Sequence, residues 1–191
     1  MKVSKEPSVP RSQIVAAAYR LLAEKGYEAA TMKEIARTAG VAPGLIHYYF
    51  KSKDGLLEEV LTEAGRHYVE QMQRFTNEFS GEELERVILA EPRERVEREP
   101  EWYRLRSELF ALGLHHSHFR PAAAAMLAAG RDCIGTTIDK LARHKLAHPP
   151  ETVAAVLLAA FDGLATQKLA DPDFDLEAAY QVLAEMFHSQ L

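Results

Sequence analysis

The chain has 191 residues, 47% of them hydrophobic, which is enough to bury one or two cores and too apolar for a disordered tail. Its one cysteine, Cys133, rules out an internal disulfide, and no stretch approaches the roughly 18 unbroken apolar residues of a membrane span. The opening MKVSKEPSVP lacks the apolar run of a signal peptide, so a soluble cytoplasmic protein without a membrane partner is expected.

The net charge of -5 conceals an asymmetry. Residues 1–55 carry nine Lys and Arg against five Asp and Glu, a net of +4; the remainder carries fourteen against twenty-three, a net of -9. A basic segment joined to an acidic body is the distribution expected when only the first segment meets phosphate.

In chain order, a polar arm with Pro7, Pro10 and Arg11 precedes Ile14, Ala18, Leu21 and Leu22, whose helical spacing runs until Gly26 offers a cap. Thr31 opens TMKE, a Thr-x-x-Glu capping box with Glu34, and a second helix follows through Ile35 and Ala39 to Gly40. Pro43 suits the first turn of a third helix, about two turns long, on which Ile46 and Phe50 share an inward face while Gly44, His47 and Tyr48 point the other way. Two short helices joined by a tight turn make a helix-turn-helix, whose second member conventionally enters the DNA major groove.

From Ser52 a long helical pattern runs through Leu56, Leu57, Val60, Leu61, Ala64 and Tyr68 toward Phe79. Further helices are predicted at 82–98, with Pro92 as a kink, and at 101–115, 120–145, 151–170 and 175–189. The protein is therefore expected to be all-α, with an N-terminal three-helix helix-turn-helix domain at 1–52 joined by the long helix to a helical domain at 53–191. PAAAAMLAAG begins with Pro121 and suits close helix packing.

No nucleophile elbow, phosphate-cradling glycine loop or HExxH is present, so neither an enzyme nor a cofactor is expected. His115, His116 and His118 allow two readings, an exposed helix connection or metal ligands. No i, i+4 His pair or companion cysteine accompanies them, which favours the connection. Cys133 reads as a small packing residue.

The stretch TMKEIARTAGVAPGLIHYYFKSKDGLL resembles the DNA-binding signature of tetracycline-repressor (TetR) family regulators, over about residues 11–60. The body resembles that family in being an acidic, all-helical domain of suitable length, with FDGLATQKLADPDFD in place of the link between its last two helices. The resemblance implies that Thr31 anchors a phosphate and that Ala42, Pro43, Gly44 and Leu45 lie at base edges. It also implies that His47, Tyr48, Tyr49 and Lys53 contact phosphates, with His47 within reach of a base. Helix three lacks the Arg, Asn or Gln of bidentate base readout, which leaves direct readout modest and adds Arg11 or Arg37 and DNA shape as sources of preference.

Two further sites follow. In the last two predicted helices Val153, Val156, Leu157, Ala160 and Leu164, then Leu176, Ala179, Tyr180, Leu183 and Phe187, form apolar stripes. A core face explains such stripes; the resemblance and the small residues Ala160, Gly163 and Ala179 favour a four-helix homodimer seam. In EWYRLRSELFALGLHH, Trp102, Leu105, Leu109 and Leu112 form one stripe and Tyr103, Arg106 and Phe110 another. Arg106 then either pairs with a carboxylate, Glu108 or one on another helix, or holds the anionic or polar head of an effector in a pocket of Trp102, Tyr103, Phe110, Phe119 and Met126. The function expected is a ligand-responsive repressor, a homodimer on a near-palindromic duplex operator released by a small molecule. A helical ligand carrier or adaptor without specific DNA binding is the alternative, separable by salt-sensitive binding to duplex DNA.

Overall fold

A computed structural model describes residues 11–142 and 147–188, which form nine helices and no strand. The expected arm as far as Pro10, and the ends of the helices predicted to reach 145 and 189, lie outside the described residues, while Arg11 opens the first helix. The chain divides into two compact units between Ala64 and Gly65.

The first unit holds α1 (Arg11–Ala29), α2 (Met32–Ala39), α3 (Pro43–Phe50) and the start of α4 (Lys53–Glu78). Gly26, expected to end α1, does break it with φ 75° and ψ 171°, a conformation glycine adopts without a Cβ penalty. The chain then resumes a last turn to Ala29, closed by the Ala30 N–H on the Gly26 carbonyl at 3.2 Å. Thr31 caps α2 as its sequence requires: its Oγ1 accepts from the Glu34 N–H at 3.2 Å, and Glu34 Oε2 accepts from the Thr31 N–H at 3.4 Å. Ile14, Ala18, Ile35, Ile46, Leu56, Leu57 and Val60 are all buried, so the positions spaced three and four apart on each helix supply the core.

The second unit holds the rest of α4 with α5 (Gly81–Arg98), α6 (Pro100–His115), α7 (Arg120–Leu141), α8 (Pro150–Ala170) and α9 (Leu176–His188). Each starts within two residues of its predicted position, and Pro is found in the first turn of α6, α7 and α8, where its missing N–H costs nothing. α5 runs as one helix through Pro92. α8 is long and apolar enough, by length and composition, to cross a membrane, with a mean hydropathy of 1.4 over its best window. Asp162 lies in its middle, however, bound to a buried arginine, and Ala154, Leu157, Leu158, Phe161 and Ala165 pack inward, as in the core helix of a bundle.

Small residues set how closely these helices approach. A Cβ on Gly113 of α6 would stand 2.7 Å from the Ala123 Cβ of α7, and one on Gly130 of α7 would stand 3.0 Å from Leu158 of α8. Both contacts are below normal van der Waals separation, so the α6–α7 and α7–α8 crossings depend on the missing methyls. Gly113→Ala is therefore expected to lower the unfolding free energy by about 1–3 kcal/mol in urea denaturation, because neither backbone can yield cheaply. An unchanged midpoint and slope would mean the crossing relaxes.

Candidate functional site

The first unit presents the outer face of α3. Ile46 and Phe50 are buried, Ala42, Pro43, Gly44 and His47 are exposed, and Tyr48 is 79% exposed. Leu45 and Tyr49 are half-buried; the Tyr49 ring meets Tyr48 edge-on at 5.3 Å and Phe50 at 6.1 Å. No side chain caps α3 at Ala42, which leaves first-turn N–H groups to whatever approaches. A Cβ on Gly44 would meet nothing within 4 Å, so the fold does not require glycine there. Exposed Thr31 stands at the start of α2.

The cations around this face are partly committed. Arg11 makes a two-pronged ion pair with Glu59 at 2.7 and 2.9 Å and lies 5.0 Å over the Phe50 ring. Lys53 Nζ donates to the Glu28 carbonyl at 3.3 Å and lies 4.1 Å over the Tyr27 ring, whose hydroxyl donates to Asp54. Burial and that carboxylate push the Tyr27 phenol up, so it stays a donor. Arg37 is exposed on α2. Arg11 and Lys53 thus brace the helices that carry α3.

The second unit contains a small, partly open chamber lined by Tyr68 of α4, Glu91 and Pro92 of α5, Trp102, Tyr103 and Arg106 of α6, and Leu158, Phe161 and Asp162 of α8. The space left is about 10 Å³, room for about one water molecule. Its walls are held by charge. Arg106, 3% exposed, donates from Nε to Asp162 Oδ1 at 3.1 Å and from Nη2 to Oδ2 at 2.7 Å. Arg95, 2% exposed, donates from Nε to Glu91 Oε1 at 2.8 Å and from Nη2 to Gln71 Oε1 at 2.8 Å, while Arg98 Nη2 adds a bond to Glu91 Oε1 at 3.0 Å. The bonds that Arg95 and Arg98 give to Glu91 all fall on its Oε1; the other oxygen, Oε2, is buried with no hydrogen-bond partner, as is the hydroxyl of Tyr180. Both guanidinium groups lie over rings: Arg95 4.8 Å from Tyr68, Arg106 5.3 Å from Trp102 and 5.1 Å from Phe110. Tyr68 itself stacks on Trp102 at 5.3 Å, and the Tyr103 hydroxyl donates to the Pro92 carbonyl at 2.9 Å. Burial pushes the Tyr103 and Tyr180 phenols up, so both remain protonated at neutral pH.

Of the predicted effector residues, Trp102, Tyr103 and Arg106 line the chamber and Phe110 touches Arg106, whereas Phe119 and Met126 are buried without lining it. The carboxylate that holds Arg106 is Asp162, on another helix, rather than Glu108. Tyr68, Glu91 and Phe161 escaped sequence reading. For Glu91 and Arg95 a signal existed: they follow Leu84 at seven and eleven residues, on its buried face.

A larger space of about 740 Å³ is an open groove between α5 and α9, but its polar rim is already self-paired, with His188 Nε2 on Glu85 at 2.9 Å and Arg93 on Glu177. An apolar groove of about 210 Å³ lies along α8 and α9, lined by His148, Thr152, Val153, Val156, Leu157, Leu183, Met186 and Phe187. Val156 and Met186 there are 64% and 65% exposed, and Val182, elsewhere on α9, is 56% exposed. Of the predicted seam, Val153, Ala160, Leu164, Ala179 and Leu183 are half-buried, while Leu157, Leu176, Tyr180 and Phe187 are buried within the unit and have little area left to give a partner. His115, His116 and His118 are exposed between α6 and α7, and no metal-holding cluster occurs among the described residues. Burial pushes the Cys133 thiol up to about 11, so it is not a reactive thiolate.

Two family models match the chain: bacterial regulatory proteins of the tetR family over residues 14–60, and the C-terminal domain of BetI-type transcriptional repressors over residues 80–191. An HTH-type transcriptional regulator BetI of Rhizobium meliloti is 55% identical over 56 residues, 29% of this chain and 27% of that protein. The matched stretch therefore spans about a quarter of that relative's length. A putative transcriptional regulator from Saccharomonospora viridis, solved with choline, has the same fold at a TM-score of 0.78 and 20% identity, over 93% of this chain and 95% of that one. The regulator FadR from Bacillus subtilis, solved with stearoyl-CoA, matches at 0.72 and 22%, over 93% and 97%.

The open space at Gly44 separates stability from recognition. Gly44→Ala is expected to leave thermal unfolding unchanged or raise stability by up to about 1 kcal/mol, since alanine is the better helix former. The same methyl would hold the α3 backbone off a groove floor and weaken duplex DNA binding about tenfold or more, ~1.4 kcal/mol, in fluorescence anisotropy. Parent-like affinity would show that this face does not approach DNA closely.

Proposed function

The chain belongs to the tetR family of bacterial regulatory proteins, and from that premise we propose that this transcriptional regulator is a repressor, binding a near-palindromic operator as a homodimer and released by a small-molecule effector that enters the α4–α5–α6–α8 chamber. The observation that carries the reading is the buried charge lattice of that chamber, with Glu91 Oε2 unpartnered inside it. Buried unpaired polar atoms cost about 1–3 kcal/mol each and mark sites where another molecule completes the bonding.

The lattice suits an organic cation. Rings of Tyr68, Trp102 and Phe110 already carry guanidinium groups, and Glu91 and Asp162 supply the counter-charges. The fold neighbour solved with choline supports the same chemistry. Ionic walls suit a long acyl chain poorly, which sets this chamber apart from what a stearoyl chain requires.

Release follows from linkage. Tyr68 and Gln71 of α4 are tied to the chamber, and α4 is one helix back to Lys53, beside the end of α3. An effector that binds better to an expanded chamber favours a second position of α4, and DNA favours the first, so each weakens the other by the same factor. Two recognition helices on a two-fold axis then require half-sites about one helical turn, ~34 Å, or a multiple apart.

Trp102 is the single tryptophan and lines the chamber, so its fluorescence reports occupancy directly. Choline titration is expected to change that emission saturably and to release operator DNA over the same concentration range, whereas stearoyl-CoA does neither. An emission that choline leaves flat removes the effector from this chamber.

For assembly, the exposed apolar residues of α8 and α9 are the proposed seam, with Val156 at its groove. Val156→Arg puts a charge into that surface without touching the unit's own core. Light scattering is expected to give the monomer mass, and operator affinity to fall about tenfold or more, ~1.4 kcal/mol. A dimer of unchanged mass would place the seam elsewhere.

A further inference from the structure

Arg106 is where a cationic ligand would have to be. Its guanidinium, a planar and weakly hydrated cation, lies 5.3 Å from the Trp102 ring and 5.1 Å from the Phe110 ring, and both of its bonded nitrogens are on Asp162. Two aromatic faces and a carboxylate are the chemistry that recognises an organic cation, and here a side chain of the protein occupies them. We propose that Arg106 is a built-in competitor for the effector: an organic cation binds by displacing the guanidinium from Trp102, Phe110 and Asp162, and the affinity observed is the difference between two cations for one place. This rests on the effector-site reading above.

The physical case is one of charge balance. Asp162 sits in α8 with its side chain 24% exposed, and Arg106 is almost wholly buried, so removing either charge alone would leave the other poorly compensated. An exchange of cations keeps Asp162 paired at every stage and leaves the charge of the chamber unchanged. It also creates the room that about 10 Å³ does not provide, since the guanidinium itself vacates the space. Asp162, the less buried partner, lies on the side from which water, and so an incoming cation, reaches the pair. The long arginine stem allows the head to swing while its methylenes stay packed. Selectivity follows: a neutral molecule of the same shape cannot replace the charge on Asp162, and an anion would face its carboxylate.

The test uses Trp102 emission, choline, and its neutral carbon isostere dimethylbutanol. Arg106→Met keeps the apolar stem and removes the cation. Choline is expected to bind that variant about tenfold tighter than the parent, ~1.4 kcal/mol, with dimethylbutanol gaining little. Adding Asp162→Asn to Arg106→Met should cancel the gain. Arg106→Lys, which keeps the ion pair but stacks less well on the rings, should tighten choline binding by a smaller factor, and it carries the test if circular dichroism shows the methionine variant unfolded. Choline binding that is parent-like or weaker in a folded Arg106 variant overturns the competitor while leaving the effector site standing, provided the parent responds. Equal gains for choline and dimethylbutanol also overturn it, since they indicate only a new cavity. No Trp102 response in the parent or any variant overturns both.

Discussion

The second unit depends on one physical arrangement: two arginines and two carboxylates taken out of water together. Arg95, paired with Glu91 within α5, reaches Gln71 of α4, and Arg106 with Asp162 joins α6 to α8, across the space where a plainer bundle would place leucines. Such pairs rarely add stability over apolar residues of the same volume, because desolvation offsets the Coulomb gain. Their presence is better explained by what they allow. A hydrocarbon core has one tightly packed arrangement, whereas charges over rings can trade partners at little net cost. The imbalance on Glu91, with its bonds on Oε1 and none on Oε2, leaves one buried carboxylate oxygen of the lattice without a protein donor.

The first unit follows a different constraint. α3 is too short to be stable alone, so it borrows rigidity from Ile46 and Phe50 inside and from cation–π braces at both sides, Arg11 over Phe50 and Lys53 over Tyr27. Two of the cations around α3 are thereby partly spent on holding the helix still. What remains on the open face is small or aromatic: Pro43, Gly44, His47, Tyr48. Recognition on such a face depends on close backbone approach and shape more than on bidentate side-chain bonds.

Legibility in the sequence tracked the range of the interaction. The Thr31–Glu34 box, the prolines opening α6, α7 and α8 and the inward pair on α3 are local, and each stood in the sequence with its physical reason. Arg106 was recognisable as a buried cation in need of a carboxylate, but Asp162 lies 56 residues on, and no spacing rule spans that distance. Glu91 and Arg95 have the spacing of an ordinary solvated i, i+4 pair, and only their alignment with Leu84 marks the face as buried. On α8 and α9 the periodicity showed apolar stripes yet not their rotation. Helices apolar on two sides leave the core and the outer face alike, so Leu157 and Tyr180 turned inward and Val182 and Met186, unremarked in the sequence, turned out.

α4 links these two kinds of constraint, and the magnitudes show why few contacts suffice. Its ties to the chamber include one hydrogen bond from a charged donor, Arg95 to Gln71, and one ring stack, Tyr68 on Trp102. A bond of the first kind contributes about 1.5–3 kcal/mol and an aromatic pair about 0.5–1.5 kcal/mol. Allosteric coupling between two sites is typically about 1–3 kcal/mol. Under the proposed function, an effector that disturbs either tie has enough energy in hand to shift the balance between two positions of the helix, and a repacked hydrophobic core is not needed. On the same proposal the buried charges would make that disturbance selective, because a molecule that displaces a guanidinium without satisfying Asp162 or Glu91 would leave a carboxylate stranded.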